Sequence, residues 1–259
     1  MKLSIIIPVF NSSLILEDLN HRIKKILSEL KIENNTEIFL INDCSNDNSW
    51  EIIKSLQKKY KYIKGINLSE NFGQHNAIMA GLNYCKGELI ITLDDDLQHP
   101  PEFFPMILKK LDECDVCYTY YKNRQHIRWK KFVSKLNNII SSFLLGKPIY
   151  IYMSSFRGIK KNIVLKIIEN KNPSVYLDGL ILKSTNNIGM ITVDHNPRLK
   201  GESNYTFKKL LILWSNMLLD FSFTPLRLAS IFGIILKLII KMVRFNRKKI
   251  QYKISEKTF

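Results

Sequence analysis

The chain has 259 residues, of which 46% are hydrophobic and 24% charged, so disorder is excluded and one large α/β domain, or a domain of about 200 residues with an appendage, is expected. Its net charge of +16 admits three partners: nucleic acid, an anionic membrane surface or phosphorylated substrates. The first apolar run is cut by Pro8 and is too short for a signal peptide, so we expect the chain to start in the cytoplasm.

Short apolar segments alternate with amphipathic ones along the first half of the chain. We predict strands over 3–9, 37–41, 63–68, 89–93 and 116–121, and helices over about 14–30, 49–60, 76–85 and 103–114. This alternation favours an α/β fold with buried strands of a parallel sheet. No glycine precedes Gly65, so the glycine-rich turn of a nicotinamide-binding domain is missing after the first strand.

The second and third predicted strands are followed by polar loops. After the second, Ser45 or Asp47 can cap the next helix. After the third, the helix carries Ala77 and Gly81 on one face, which predicts close packing on the sheet. His75 is interpreted as a polar residue at the start of that helix.

Three consecutive carboxylates, Asp94, Asp95 and Asp96, follow the apolar segment 89–93. In an open α/β sheet the carboxyl ends of the strands face the ligand crevice. Adjacent acids repel one another, and a bound cation usually offsets this; such oxygen ligands suit Mg²⁺ or Mn²⁺ bridged to substrate phosphates. The alternative is an acidic turn that caps the helix after Pro100 and Pro101.

The segment 122–135 combines cations with Trp129 and Phe132. A solvated basic helix is the simplest interpretation, but cations interleaved with large aromatics also suit a helix lying on anionic lipid headgroups. The cations are Lys122, Arg124, Arg128, Lys130, Lys131 and Lys135.

Two later segments hold further candidates. Asp178 is an acid that could orient or deprotonate an acceptor, or could cap a helix. Arg198 can make paired hydrogen bonds to a phosphate, and Gly201 permits a close approach of the backbone.

The composition changes after residue 206, and we predict one domain over 1–206 and interfacial helices with a basic amphipathic tail over 207–259. An interfacial helix is expected over 210–223. The segment 225–241 begins like a membrane span, but Lys237 and Lys241 interrupt it after roughly a dozen apolar residues, whereas a span needs about 20. We therefore expect peripheral or weakly inserted binding to the cytoplasmic membrane face through this segment and its basic tail.

The run DDDLQHPPE at 94–102 resembles the acidic motif of family 2 inverting glycosyltransferases with the GT-A fold. The likeness is to the polyprenyl-phosphate branch, which includes dolichyl-phosphate mannose synthases and bactoprenol glucosyltransferases, with a shortened C-terminal membrane region. Five separated motifs occur in the family's order between about residues 3 and 235. They imply a GT-A catalytic domain over 1–206, with a mixed, mostly parallel sheet flanked by helices.

The resemblance implies a donor site for a nucleotide-diphosphate sugar. Asp94 and Asp96 would contact the donor diphosphate and the metal, and Gln98 would complete a Mg²⁺ or Mn²⁺ site. Asp43 would contact the nucleobase, although Asn42 stands where many relatives have an acid. The other donor-binding residues implied are Pro8, Asn71, Gln74, Asp95, Arg198 and Ser203.

The resemblance also implies an acceptor side formed by Arg124, Arg128, Ser155 and Arg157. Many members of the branch have G-D-F-R where this chain has Ser154-Ser155-Phe156-Arg157, and the acid of that motif is their proposed base. Asp178 is the second candidate for this role. A lipid phosphate is already ionised near neutral pH, so its glycosylation need not use a base.

The function expected from these features is inverting transfer of a sugar from a nucleotide sugar to a polyprenyl phosphate. Transfer to a sugar hydroxyl of a glycan, or binding of nucleotide sugar or lipid without turnover, remain alternatives. A nucleic-acid partner is not expected, because no nucleic-acid module is recognised. The sequence does not determine the sugar or the nucleobase of the donor, or whether the protein forms homo-oligomers.

Overall fold

The structure is a computed structural model, and it describes residues 2–121, 142, 148, 151–172 and 175–193. The strands are β1 (Leu3–Val9), β2 (Thr36–Asn42), β3 (Ile63–Asn67), β4 (Leu89–Thr92), β5 (Val116–Tyr121), β6 (Arg157–Lys160) and β7 (Ile188–Val193). The helices are α1 (Leu16–Glu29), α2 (Ser49–Lys59), α3 (Gln74–Tyr84), α4 (Phe104–Lys110), α5 (Lys161–Ile168) and α6 (Leu177–Ser184). Short 3₁₀ turns lie at Glu33–Asn35 and Pro101–Phe103.

The strands form one seven-stranded sheet in the order β3-β2-β1-β4-β6-β5-β7. Strands β1 to β4 are mutually parallel, β6 runs antiparallel to both of its neighbours, and β7 is parallel to β5. The predicted α/β class and the mixed, mostly parallel sheet are therefore confirmed.

The central strands are apolar at nearly every position because helices cover both faces of the sheet. Ile5 and Ile7 of β1 belong to a core cluster with Leu19 and Ile23 of α1, whereas Ile6 belongs to a second cluster. This two-sided burial explains why β1 reads as an uninterrupted apolar run.

Helix α3 packs closely on the sheet, as its small residues predict. A Cβ atom added at Gly81 would lie 2.6 Å from Cγ2 of Ile6, and Ala77 is fully buried. Gly81 thus lets the helix axis approach β1 and β2 at a distance that a larger residue would prevent.

One predicted helix is shorter than expected. The pattern over 103–114 indicates a single helix, but α4 ends at Lys110. The following residues turn instead, and this turn buries Leu111 and Cys114 beneath the sheet edge.

The order of the strands creates a crevice. Strands β2 and β4 lie on opposite sides of β1, so the loops after β1 and β4 diverge at the carboxyl edge of the sheet. Because β6 is antiparallel to β4, with Arg157 opposite Thr92, the residues that precede β6 arrive at this same edge. Within the described part of the chain, every helix falls short of the length or hydropathy needed to cross a membrane.

Candidate active site

Left-handed backbone marks the loops at the carboxyl edge of the sheet. Asn11, Cys44 and Leu97 follow β1, β2 and β4, and their φ angles are 55°, 56° and 60°. Such values are uncommon outside glycine and persist where surrounding contacts enforce them. Leu97 lies in the turn that follows the three aspartates, and its side chain is only 1% exposed.

Asp94 is held from three directions. Its Oδ1 accepts a hydrogen bond of 2.5 Å from the Gln74 side-chain amide, and its Oδ2 accepts one of 2.6 Å from the Ser155 hydroxyl. Its backbone N–H donates to Nδ1 of His99 at 3.1 Å. Helix α3, the segment before β6 and the loop after β4 therefore all fix this one residue.

Asp95 turns toward the loop after β1. Its Oδ2 accepts the backbone N–H of Phe10 at 3.1 Å and the Ser12 hydroxyl at 2.5 Å. Burial raises the pKa of Asp95 to about 7, and the charges of Asp94 and Asp96 add to this increase while the two hydrogen bonds oppose it. Asp95 thus connects the end of β4 to the loop after β1.

Asp96 and Gln98 lie in the same turn, and Oδ1 of Asp96 accepts the backbone N–H of Gln98 at 3.1 Å. The residue before the next 3₁₀ turn is Pro100, so the aspartates do not cap that turn. Among the described residues, no group of three or more His, Cys, Asp or Glu side chains could hold a metal ion unaided. The oxygen ligands present fit Mg²⁺ or Mn²⁺ only if substrate phosphates complete the shell.

The polar residues after β2 hold the start of α3. The Asp43 carboxylate accepts the backbone N–H groups of Phe72 and Gly73 at 2.8 and 2.9 Å, and the Asn71 amide donates to the Asp43 carbonyl at 3.2 Å. Asp43 is 3% exposed. The structure thus reveals a bracing use of Asp43 that the sequence did not predict, and its contact with a nucleobase stays a prediction.

Two other residues that the sequence singled out, Asp47 and Pro8, lie on this side of the crevice. Asp47 accepts the backbone N–H of Ser49, the first residue of α2, at 3.0 Å. The N-cap residue of α2 is Asn48, so neither Ser45 nor Asp47 is the capping residue that the sequence predicted. Pro8 is buried in β1 opposite Ile41, one residue before the strand reaches the crevice.

Arg157 and Asp178 form a buried ion pair near the end of β4, the strand that the three aspartates follow. Asp178 also accepts the Tyr118 hydroxyl at 2.8 Å, and Nε of Arg157 donates to the Thr92 hydroxyl at 3.3 Å. Burial alone would lower the pKa of Arg157, but Asp178 and Tyr118 outweigh it and raise that pKa. Both partners of the pair are thus engaged with protein groups rather than facing open solvent.

This network refines what the sequence indicated for the two residues. Asp178 lies in the first turn of α6, whose N-cap is Tyr176, so it is not the capping residue. Arg157 is 1% exposed, and its described partners belong to the protein interior. The roles of Arg157 at the acceptor and of Asp178 as a base stay predictions, and the observed contacts are those of supporting residues.

Two histidines lie beside the site: His75, which the sequence predicted only as a polar residue at the start of α3, where it lies, and His99, which the sequence did not single out. His99 is 7% exposed and its ring stacks on Phe156 at 5.5 Å. His75 packs edge-on against Tyr176, and its Nδ1 is buried with no hydrogen-bond partner among the described residues. Burial lowers the pKa of His75. The only sequence signal was the proximity of both residues to motifs already singled out.

Several expected site residues fall outside the described residues: Arg124, Arg128, Arg198 and Ser203, together with the segment 207–259. The structure does bring together candidates from four separate parts of the chain, which are Asp43, Gln74, Asp94 to Asp96, and Ser155.

Comparisons with known proteins are consistent with this geometry. Residues 4–168 match the model of the family described as Glycosyl transferase family 2. The structure resembles glucosyl-3-phosphoglycerate synthase from Mycobacterium tuberculosis, solved with Mn²⁺, uridine diphosphate and phosphoglyceric acid, with a TM-score of 0.58 and 14% identity over 84% of this chain and 76% of that chain.

It also resembles TarS 1-349 of S. aureus, with a TM-score of 0.50 and 20% identity over 75% of this chain; the match spans only 59% of the TarS chain. The same fragment solved with UDP-GlcNAc gives a TM-score of 0.53 and 20% identity over 85% of this chain and 67% of that chain. At these identities the likeness establishes the fold, which is GT-A.

Proposed function

The chain belongs to glycosyltransferase family 2, and from this premise we propose that it transfers a sugar, with inversion, from a nucleotide-diphosphate sugar to a polyprenyl phosphate at the cytoplasmic face of a membrane. The observation that carries the proposal is the acid edge, defined as Asp94, Asp95 and Asp96 at the carboxyl end of β4. Its carboxylates have partners from the loop after β1, from α3 and from the segment before β6, so it is a built site at the expected ligand crevice.

The donor would lie across the parallel half of the sheet. Pro8 and Asp43 stand at the ends of β1 and β2, where the nucleoside would lie, and the diphosphate would extend toward the acid edge. Support for a uridine nucleotide comes from two fold relatives, one solved with uridine diphosphate and one with UDP-GlcNAc. Arg198 and Ser203, which lie outside the described residues, would also contact the diphosphate.

Asp96 and Gln98 would hold Mg²⁺ or Mn²⁺ together with the donor phosphates. When bound, the metal would act as a Lewis acid that stabilises the negative charge of the departing diphosphate. The chain's own contribution is positional. Gln74 and Ser155 orient the Asp94 carboxylate, and Ser12 and Phe10 bind the Asp95 carboxylate to the loop after β1.

The acceptor proposal draws on where the charge lies in the chain. Residues 122–147 contain seven Lys and Arg and no Asp or Glu, and residues 194–259 contain thirteen Lys and Arg and four acids. The rest of the chain contains nineteen of each sign, so the two segments together account for the whole net charge of +16. Such segregation suits attraction to anionic lipid headgroups and to a lipid phosphate.

A turnover assay tests the proposal. The full chain is incubated with Mn²⁺ or Mg²⁺ and with UDP-glucose, UDP-N-acetylglucosamine or GDP-mannose, and release of nucleoside diphosphate is measured. We expect one donor to be consumed faster when polyprenyl phosphate is added, but not when the matched polyprenol without phosphate is added. Stimulation by a glycan acceptor alone would favour transfer to a sugar hydroxyl, and binding without turnover would favour a non-catalytic homologue.

The acceptor side has its own test. Arg124→Ala and Arg128→Ala should each raise the apparent KM for polyprenyl phosphate while leaving the KM for the nucleotide sugar nearly unchanged, because their charges are proposed to contact only the acceptor. Lys130→Ala is the matched control, since it removes a neighbouring cation without that proposed contact. Equal effects of all three substitutions would mean that the segment acts by general attraction alone.

A further inference from the structure

Three successive residues, Ser155 to Arg157, contact Asp94 either directly or through one neighbouring residue. The Ser155 hydroxyl donates to the Asp94 carboxylate at 2.6 Å. The Phe156 ring stacks on His99 at 5.5 Å, and His99 accepts the backbone N–H of Asp94. Arg157 donates to Thr92, the last residue of β4, two residues before Asp94.

Ser155 is itself fixed relative to β4. Its backbone carbonyl accepts the Thr92 hydroxyl at 2.6 Å, and Thr92 is fully buried. Two hydrogen bonds, one from Thr92 to the Ser155 carbonyl and one from the Ser155 hydroxyl to Asp94, thus connect two residues that lie two positions apart in the chain. The hydroxyl is consequently placed by contacts that do not depend on the substrate.

The geometry has a consequence for the Asp94 carboxylate. Ser155 donates to one oxygen and Gln74 to the other, so rotation of the carboxylate would break both hydrogen bonds. Donors that are in place before the reaction reduce the reorganisation that a charged site needs when charge develops. An acid at position 155 would instead set a second negative charge against Asp94.

We propose that Ser155 is a positioning residue that orients Asp94 toward the donor diphosphate, so that position 155 acts in this chain as a hydrogen-bond donor to the acid edge and not as the base of the reaction. The inference rests on the proposed function and deepens it. It assigns to Ser155 a role on the donor side, whereas the family resemblance placed this position on the acceptor side.

The test uses Ser155→Asn and Ser155→Asp, which have nearly the same shape and differ in charge and in the ability to donate. Ser155→Ala removes the donor, and Ser155→Thr keeps the hydroxyl. For each full-length variant we would measure the Kd of UDP in the presence of Mn²⁺ by calorimetry, and the melting temperature in EDTA.

We expect Ser155→Ala to weaken UDP binding about tenfold, in the range for loss of one hydrogen bond to a charged group. Ser155→Thr should stay within about threefold of the wild type, because the donor is retained. Ser155→Asp should bind UDP more weakly than Ser155→Asn and should melt at a lower temperature in EDTA, since its charge repels Asp94. UDP binding by Ser155→Asp that equals or exceeds that of Ser155→Asn would overturn the proposal.

Failure of the proposed function gives a different pattern. If the wild type does not bind UDP, the donor assignment fails, and the melting temperatures still test whether Ser155 contacts Asp94. If the wild type binds UDP and the four variants differ only in melting temperature, Ser155 is merely structural. Faster sugar transfer by Ser155→Asp than by Ser155→Asn would make position 155 a site for a base.

Discussion

Asp94, Asp95 and Asp96 are adjacent in the chain, yet each carboxylate has different partners. Asp94 is oriented by side chains from α3 and from the segment before β6, Asp95 binds the loop after β1, and Asp96 accepts a backbone N–H within its own turn. Asp95 therefore joins the end of β4 to the loop after β1, whereas Asp94 is held by α3 and by the segment before β6.

The sequence predicted the cluster but not this division. Three acids after an apolar strand are a local pattern, and it was sufficient to place them at the crevice. The bond between Ser12 and Asp95 joins residues 83 positions apart, and no local pattern indicates which acid turns toward Ser12. Likewise, Asp178 was singled out as an acid, but its pairing with Arg157 depends on the register of β6.

The buried pair of Arg157 and Asp178 leads to a prediction about stability. Asp178→Asn should lower the free energy of unfolding by about 3 kcal/mol, because it leaves a buried guanidinium without a counter-charge. The double variant Arg157→Met/Asp178→Leu should recover much of this loss. Urea denaturation measures both. An Asp178→Asn variant with unchanged stability and no sugar transfer would instead identify Asp178 as the base.

Glu37 leads to a prediction about pH. Burial alone would raise its pKa, but hydrogen bonds from Lys64, Ser4 and the backbone N–H of Lys86 outweigh burial and lower it from 4.5. Because the folded-state pKa lies below the unfolded one, the ionised group stabilises the fold above pH 4.5, and this stabilisation is lost as the pH falls through the folded-state pKa.

Glu37→Gln should therefore lower the free energy of unfolding by about 1 kcal/mol at pH 7, a value reduced for the partial exposure of Lys64. The difference from the wild type should shrink as the pH falls below 4.5. Melting curves across this range check the prediction, and a difference that does not depend on pH would mean that shape rather than charge matters at this position.

At the scale of whole elements, the parallel half of the sheet was predictable and the antiparallel insertion was not. Strand β1 has the predicted bounds, because buried parallel strands read as continuous apolar runs. Strand β5 also has its predicted bounds, although it lies beyond β6 in the sheet. Strand β6 has only four residues, RGIK, and its polar ends conceal it. Its position between β4 and β5 is nevertheless what brings Ser155 to Asp94.

The contact between α3 and the sheet can be tested by one methyl group. Gly81→Ala should lower the free energy of unfolding by about 1 to 3 kcal/mol, because the added Cβ would lie 2.6 Å from Ile6. Asn83→Ala, at an exposed position of the same helix, should have little effect. Chemical denaturation of the two variants compares them directly, and equal stabilities would show that α3 has room to move away from the sheet.

At the scale of the whole molecule, the net positive charge lies in two segments of the sequence, and the rest of the chain, which forms the described crevice, is electrically balanced. The positively charged segments 122–147 and 194–259 lie largely outside the described residues, so their role is tested by binding. We expect the full chain to bind vesicles that contain phosphatidylglycerol and to be partly released by about 1 M salt, because salt screens this attraction. Buried apolar surface would account for the remaining binding.

A matched pair of variants locates the attraction. Lys248→Glu/Lys249→Glu should weaken vesicle binding at least about tenfold, since each cation near an anionic surface contributes about 1 kcal/mol. Lys58→Glu/Lys61→Glu reverses two exposed charges on the electrically balanced part of the chain and should change it less. Vesicle sedimentation measures both, and equal losses would mean that overall charge, rather than the tail, determines binding.

The most direct test of the central claim is to identify the product. The full chain is incubated with Mn²⁺, a nucleotide sugar labelled in the sugar, and polyprenyl phosphate, and the lipid fraction is analysed by mass spectrometry. We expect a lipid whose mass is that of polyprenyl phosphate plus one sugar residue, and we expect Asp96→Asn to abolish it while retaining the fold. Label recovered only as free sugar or in a glycan, with none on the lipid phosphate, would contradict the account.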